Sequence, residues 1–214
     1  MTNFIAIFPL SIVVYPGENL NLHIFEPRYI QLINECQLEN KAFGIPCVIN
    51  NEVQEMGTLV RILEIVNKQE NGEMDIRTEG INVFRILETI RTVPDKLYSG
   101  AIVKHQDLNT GSGNRDLMIK VVIALRELHK LLKITKDFQM ADDKLTAYDI
   151  AHHAGLSLDE EYELLKLPLE EQRQEFLKRH LTRVLPVIAE MEKLKKRVKL
   201  NGHFKNLSSF QFEE

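Results

Sequence analysis

The chain has 214 residues, 44% of them hydrophobic and 27% charged, with a formal net charge of −4. That composition can bury a core and excludes a wholly disordered or coiled-coil chain. The acidic balance gives no overall attraction to nucleic acid phosphates. The length suits one large domain or two modest ones sharing an interface.

The chain opens with an apolar stretch, Phe4 to Tyr15. It does not read as a signal peptide: no basic segment precedes it, Pro9 and Ser11 interrupt it, and no small-residue cleavage site follows. No apolar run approaches the roughly 18 residues needed to span a bilayer, so no membrane partner is expected. The two cysteines, Cys36 and Cys47, make neither a metal-type pair nor a disulfide framework. A reduced, cytoplasmic location is the expectation.

The first hundred residues read mainly as strands. In Leu20–Phe25, Leu20, Leu22 and Ile24 alternate with Asn21, His23 and Phe25, the period-2 pattern of a half-buried strand. One helix then interrupts: Pro27 suits its first turn, and Tyr29, Leu32, Ile33 and Cys36 fall on one stripe. Gly57–Val66 predicts a strand leading to Asn71-Gly72, a dipeptide suited to a two-residue type I′ hairpin. The return strand places Met74 and Ile76 on one face, Asp75 and Arg77 on the other. Further strands are expected at Val83–Ile90 and Ser99–His105. Many short strands with turn residues between them predict a small barrel or a highly curved sheet.

The segment Asp107–Asn114, DLNTGSGN, reads as a linker. It divides the chain into a β-barrel half, 1–108, and a helical half, 109–214. Helices are expected at Leu117–Ile134, Asp142–Gly155 and Leu158–Leu167, with Ser157 or Asp159 as a cap and Gly155 as a stop. Pro168 opens a long helix with Glu170 and Glu171 in its first turn and basic residues in its last, as the macrodipole favours. Its seam is Leu177, Leu181, Val184, Ile188 and Met191, and Pro186 should kink it.

The segment Phe8–Tyr29, FPLSIVVYPGENLNLHIFEPRY, carries Pro9-Leu10, Tyr15-Pro16-Gly17 and Glu26-Pro27-Arg28-Tyr29. Phe43-Gly44, Gly57-Thr58, Gly80 with Phe84-Arg85-Ile86, and Tyr98 with Ala101 follow in order, and LPLEEQRQEFLKRHLTRVLPVI closes the set. In this the chain resembles the amino-terminal substrate-binding domain of Lon proteases over most of its length. The resemblance implies an α+β fold, a PUA-like β-barrel followed by an α-helical bundle with a long C-terminal helix. It also implies a role in engaging unfolded or flexible polypeptide. Lon couples that domain to an ATPase and a Ser-Lys peptidase. This sequence has no G-x-x-x-x-G-K-[ST] cradle and ends before a peptidase domain could begin, so neither activity is expected.

The signature residues have structural readings. Pro16-Gly17 forms a turn, Pro27 starts a helix, and Glu26 and Arg28 bond the backbone or each other. Gly80 supplies a clearance or conformation that a side chain would forbid, and Arg85 is structural in the same way as Arg28. His23 and Phe25, opposite the apolar strand face, either contact a peptide or lie buried under the neighbouring helix. Tyr29 extends that surface or belongs to the core stripe. His152-His153 lack partners at ligand spacing, and neither a metal nor a cofactor is expected. No catalytic residue is assigned, and Cys36 and Cys47 read as core.

Glu190–Lys205 holds six Lys or Arg against two acidic residues, while Asp137–Glu163 holds eight acidic residues. The basic run reads as a solvated helix end complementing its dipole; the alternatives are an acidic or nucleic acid partner, or self-association by docking against the acidic stretch of another copy. A non-catalytic polypeptide-binding module, acting as adaptor or regulator in protein quality control, is the leading expectation. It would use an exposed apolar patch or shallow groove, with β-edge pairing as a supplement. An RNA-binding PUA-like protein is the alternative, disfavoured by the acidic charge and the lack of interleaved basic and aromatic residues.

Overall fold

The computed structural model describes residues 2–106, 113–136, 138 and 140–207; most of the predicted linker, 107–112, lies outside the described residues. Six antiparallel strands come first: β1 (Thr2–Ala6), β2 (Asn19–Ile24), β3 (Phe43–Ile49), β4 (Glu52–Lys68), β5 (Met74–Ile90) and β6 (Gly100–His105). They pair in the order β1-β6-β5-β4-β3, with β2 added on β5. Parallel bridges from Ile7 to Gly44 and from Leu10 to Cys47 join the two ends, so the sheet closes into a barrel. The predicted runs Gly57–Val66 and Val83–Ile90 are parts of two 17-residue strands. β5 is long enough to pair with β4 along one edge and with both β6 and β2 along the other.

The β4–β5 hairpin differs from the two-residue turn predicted at Asn71-Gly72. Gln69 N–H donates to Glu73 O at 2.8 Å and Gly72 N–H to Gln69 O at 3.0 Å, which makes the loop three residues long. Gly72 alone takes a positive φ, +90°, while Asn71 keeps an ordinary backbone and accepts from Glu73 N–H through its side chain. A turn of ordinary handedness followed by a left-handed glycine is the usual three-residue hairpin.

Helix α1 (Pro27–Glu39) buries Tyr29, Leu32, Ile33 and Cys36, the stripe read from the sequence. It packs on Ile24, Met74, Ile76, Phe8 and Phe43. The helical half comprises α2 (Arg115–Leu132), α3 (Ala147–Ile150), α4 (Leu158–Lys166) and α5 (Glu170–Leu207). The single helix expected over Asp142–Gly155 is instead a 3-10 turn, α3 and a second 3-10 turn. Leu145 is extended, and Thr146 with Asp149 restarts the helix through a capping box. Ser157 and Glu160 cap α4 in the same manner, and Gly155 stops the preceding turn at φ +74°. Helix α5 starts two residues after Pro168 and continues as helix through Pro186. Its seam buries Leu177 and Leu181, packs Val184 and Ile188 partly, and leaves Met191 exposed.

The two halves share one core. Val13, Tyr15, Cys47, Met56 and Val83 of the barrel join Val121, Leu125, Tyr148, Leu164 and Leu177 in a single buried cluster. Tyr162 Oη accepts from Met56 N–H at 3.1 Å, and Tyr15 Oη donates to Glu161 O at 3.0 Å. Buried polar tips that find partners across the seam fix the packing of one half on the other.

Gly80 shows why the Tyr15-Pro16-Gly17 turn sits where it does. Gly17 N–H donates to Gly80 O and Gly80 N–H donates to Glu18 O, both at 2.8 Å. A Cβ on Gly80 would stand 2.2 Å from the Tyr15 carbonyl oxygen, which is backbone and cannot rotate away. Gly80→Ala is therefore expected to cost about 1–3 kcal/mol by overpacking. Urea unfolding of the variant measures this, and an unchanged midpoint would show that the turn can slide freely along β5.

Candidate functional site

The structure separates the three predicted contact residues. His23 stands on the outward side of β2, and Phe25, one residue beyond the end of that strand where the sequence pattern had included it, is 59% exposed. Burial beneath α1 does not occur, because the alternation sends Leu20, Leu22 and Ile24 toward the helix. Tyr29 is only 7% exposed, stacked on Phe8 at 3.8 Å between ring centroids with the Arg28 guanidinium 4.5 Å from its ring. Its place in the apolar stripe wins, and it belongs to the core under α1 instead of contacting solvent. His23 and Phe25 rings stack at 5.9 Å, and His23 Nδ1 lies 2.8 Å from Asp75 Oδ1 with Glu73 at 4.0 Å. The result is an aromatic ledge bordered by two carboxylates.

The signature residues make contacts within the chain. Arg28 Nε donates to Glu26 Oε2 at 2.9 Å, at the exposed entry to α1 where Glu26 is the N-cap residue without capping through its side chain. Arg85 donates to Glu55 across β4 and β5 at 2.8 Å. Pro9 precedes Leu10, whose carbonyl accepts from Val48 N–H at 2.8 Å in the bridge that closes the barrel. Pro16 and Gly17 form the turn that rests on Gly80, with Gly17 at φ +84°.

A second concavity lies between α4 and α5, with a volume of about 460 Å³. Asp159, Glu160 and Glu163 face Arg179 and Arg183 over Phe176. The Arg183 guanidinium is 2.5 Å from Glu160. Burial pushes the Glu160 carboxyl up, but the Ser157 backbone N–H and Arg183 outweigh it and hold the pKa below the ordinary value. The cleft thus presents paired charges beside the Phe176 ring.

No constellation for bond chemistry is assembled by these residues. Burial, with the charges of Glu35 and Glu39, pushes the Cys36 thiol up to about 11, and burial raises Cys47 similarly, so both stay protonated. Among the described residues, no group of three or more His, Cys, Asp or Glu is placed to hold a metal ion. No helix there is long and apolar enough to cross a membrane.

Two polar clusters escaped the sequence reading. His152 reaches Glu161, nine positions on, at 2.8 Å and Glu18 of the barrel turn at 3.1 Å. Arg173 and Glu170 form a fully buried pair at the start of α5. The spacing of Glu170 and Arg173 by one helical turn was visible, but His152 and Glu18 lie 134 positions apart and carry no local signal.

Comparison with known proteins agrees with this architecture. The family model of the ATP-dependent protease La (LON) substrate-binding domain matches residues 5–183. A curated relative, Lon protease 2 of Syntrophobacter fumaroxidans, is 25% identical over 211 aligned residues, covering 91% of this chain. The chain spans 26% of that relative's length. Among solved structures, a Lon N-terminal domain protein from Xanthomonas campestris superimposes with a TM-score of 0.65 at 21% identity, covering 82% of this chain and 96% of its own. The N-terminal domain of the Mycobacterium avium complex Lon protease gives 0.60 at 13% identity, covering 84% and 98%. A family match over this much of the sequence, on a closed barrel joined to helices as those domains are, places the chain in the Lon substrate-binding domain family.

Proposed function

We propose that the protein is a non-catalytic polypeptide-binding module that captures unfolded or flexible segments and serves as adaptor or regulator in protein quality control. The observation that carries this reading is Phe25, an aromatic side chain left 59% exposed and stacked beside His23, held between the end of β2 and the start of α1. Exposed aromatics on a fixed scaffold lose little side-chain entropy when they are covered, which suits them to binding. The cleft between α4 and α5 is a second area where a chain can lie. The protein's relation to a Lon protease supports the choice of polypeptide as ligand. The RNA alternative has its own observation, a cleft of about 560 Å³ between α2 and α5 where Arg126, Lys130, Lys133 and Lys196 outnumber Glu127 and Glu192. It has no exposed aromatic among its lining residues to stack a base, and the polypeptide reading is preferred.

Covering one aromatic side chain contributes roughly 1.5–3 kcal/mol, about ten- to a hundredfold in affinity. Phe25→Ala is expected to weaken binding of a reduced, carboxymethylated unfolded protein by that factor while the melting temperature holds. Fluorescence anisotropy with the labelled unfolded protein reads the effect. Unchanged affinity with an intact fold would remove Phe25 from the surface.

A further inference from the structure

Strand β4 is 17 residues long, but β3 covers only its first part. The pairing of β3 with β4 ends at Phe43 opposite Val60. From Arg61 to Lys68 the inner edge of β4 pairs with β5, while no described strand pairs with the outer edge. There the chain leading into β3 splays away, so the bare edge lines a wedge of about 380 Å³ whose far wall is the end of α1 at Gln37, Asn40 and Lys41. A bare edge is a row of unpaired backbone N–H and C=O groups, and the partner that satisfies such a row at regular spacing is another extended backbone.

We infer that the outer edge of β4 at residues 61–66 takes an extended segment of client polypeptide as an added antiparallel strand, continuing the line of β3. This rests on the polypeptide-binding reading and gives it a place and a mode. Three features select the occupant. The register of β3 already fixes where the next strand in line would run, so the site continues an existing pairing. The charged edge residues are neutralised in place: Arg61 is paired to Glu79 at 2.5 Å and Glu64 to Arg77 at 2.7 Å. The lysine that commonly guards an open edge is absent from 61–66, and Leu63, Val66 and Ile81 are exposed there instead. Half-buried Ile62 and Ile65 lie on the α1 side. An added strand with apolar residues would therefore find apolar neighbours on both faces.

The irregularities limit what can bind. Register shifts between Ile62 and Glu64 and between Ile65 and Asn67 twist the edge. A twisted edge disfavours long flat pairing of one barrel with another and favours a short segment of a flexible chain.

The test uses the whole chain and a fluorescein-labelled ten-residue peptide alternating valine and threonine. Two further peptides carry N-methyl groups on alternate residues, one set blocking each edge of the peptide while the side chains stay the same. Addition to β4 requires that one set bind at least tenfold more weakly than the unmethylated peptide and the other set bind nearly as well. Leu63→Lys should weaken the unmethylated peptide by a similar factor with the melting temperature unchanged. Equal binding of all three peptides, or insensitivity to Leu63→Lys, would overturn strand addition. Retained binding of an unfolded protein in that case would leave the polypeptide-binding reading intact, whereas failure of both peptide and unfolded protein to bind would overturn both. Concentration-dependent dimerisation abolished by Leu63→Lys would assign the edge to a second copy and likewise overturn the proposal.

Discussion

Arg173→Met is expected to destabilise the protein by about 3–5 kcal/mol, the largest effect of any exchange considered for this chain. Arg173 is 1% exposed and Glu170 4%. The guanidinium donates to Glu170 at 2.9 Å and to Leu167 O at 2.8 Å, and lies 4.3 Å from the Tyr148 ring. Glu170 also accepts from Ala147 N–H at 2.6 Å and from Gln174 at 3.3 Å, and Gln174 in turn accepts from Asn114 N–H at 2.9 Å. One buried pair therefore holds the starts of α2, α3 and α5 together. Two charges taken out of water this way contribute little net stability, because their desolvation offsets their attraction. Removing one alone is different, since it leaves the Glu170 carboxylate buried without its cation. At two to four degrees per kcal/mol for a chain of this size, the melting temperature should fall by roughly 6–20 °C. Adding Glu170→Gln should restore part of the loss. A single variant costing under about 1 kcal/mol, or a double variant worse than the sum of the two single exchanges, would contradict this account.

The same residues show how far the sequence could be read. The α1 stripe and the β2 alternation were legible because each is set by local period: burial follows 3.6 in one and 2 in the other. Gly80 was legible only as a position that a side chain would spoil, and the structure supplies the reason in the Tyr15 carbonyl. The break of the expected helix over Asp142–Gly155 was written in Thr146 and Asp149, a capping pair inside a run of helix formers. Tyr29 illustrates an ambiguity that periodicity cannot resolve, since a residue in the first turn of a helix that follows a half-buried strand can face either way. The candidate surface was half legible: alternation put His23 and Phe25 on one face, but which face met solvent depended on where α1 packed. The bare edge of β4 was invisible, because an unpaired edge is a statement about a strand that is missing from beside it.

The last expectation concerns pH. His152 joins the two halves: its Nδ1 lies 2.8 Å from Glu161 on α4 and its Nε2 3.1 Å from Glu18 in the barrel turn. Glu18 is itself held by Tyr15 N–H at 2.8 Å, and the Tyr15 ring lies 4.8 Å from the imidazole. Burial pulls the imidazole pKa down, but the hydrogen bonds and charges of Glu161 and Glu18 outweigh it and hold the pKa up at about 10, against an ordinary 6.5. A pKa raised on folding means that the folded state binds the proton more tightly. The contribution is thus fully present below pH 6.5, declines as pH rises, and is lost above about 10. Each hydrogen bond to a charged group is worth about 1.5–3 kcal/mol. Because the side chain is 31% exposed, solvent screening reduces the pair to about 2–3 kcal/mol together. His152→Leu should lower stability by that amount at pH 6, and the gap between wild type and variant should close by pH 10. The neighbouring tyrosines do not confuse the comparison, since burial pushes Tyr148 up to about 12 and Tyr15 higher still, leaving both neutral throughout. Urea unfolding of both proteins at intervals from pH 6 to 10 gives the difference directly. A gap that stays constant across that range would mean that His152 acts through packing and that its charge plays no part in joining the barrel to the helices.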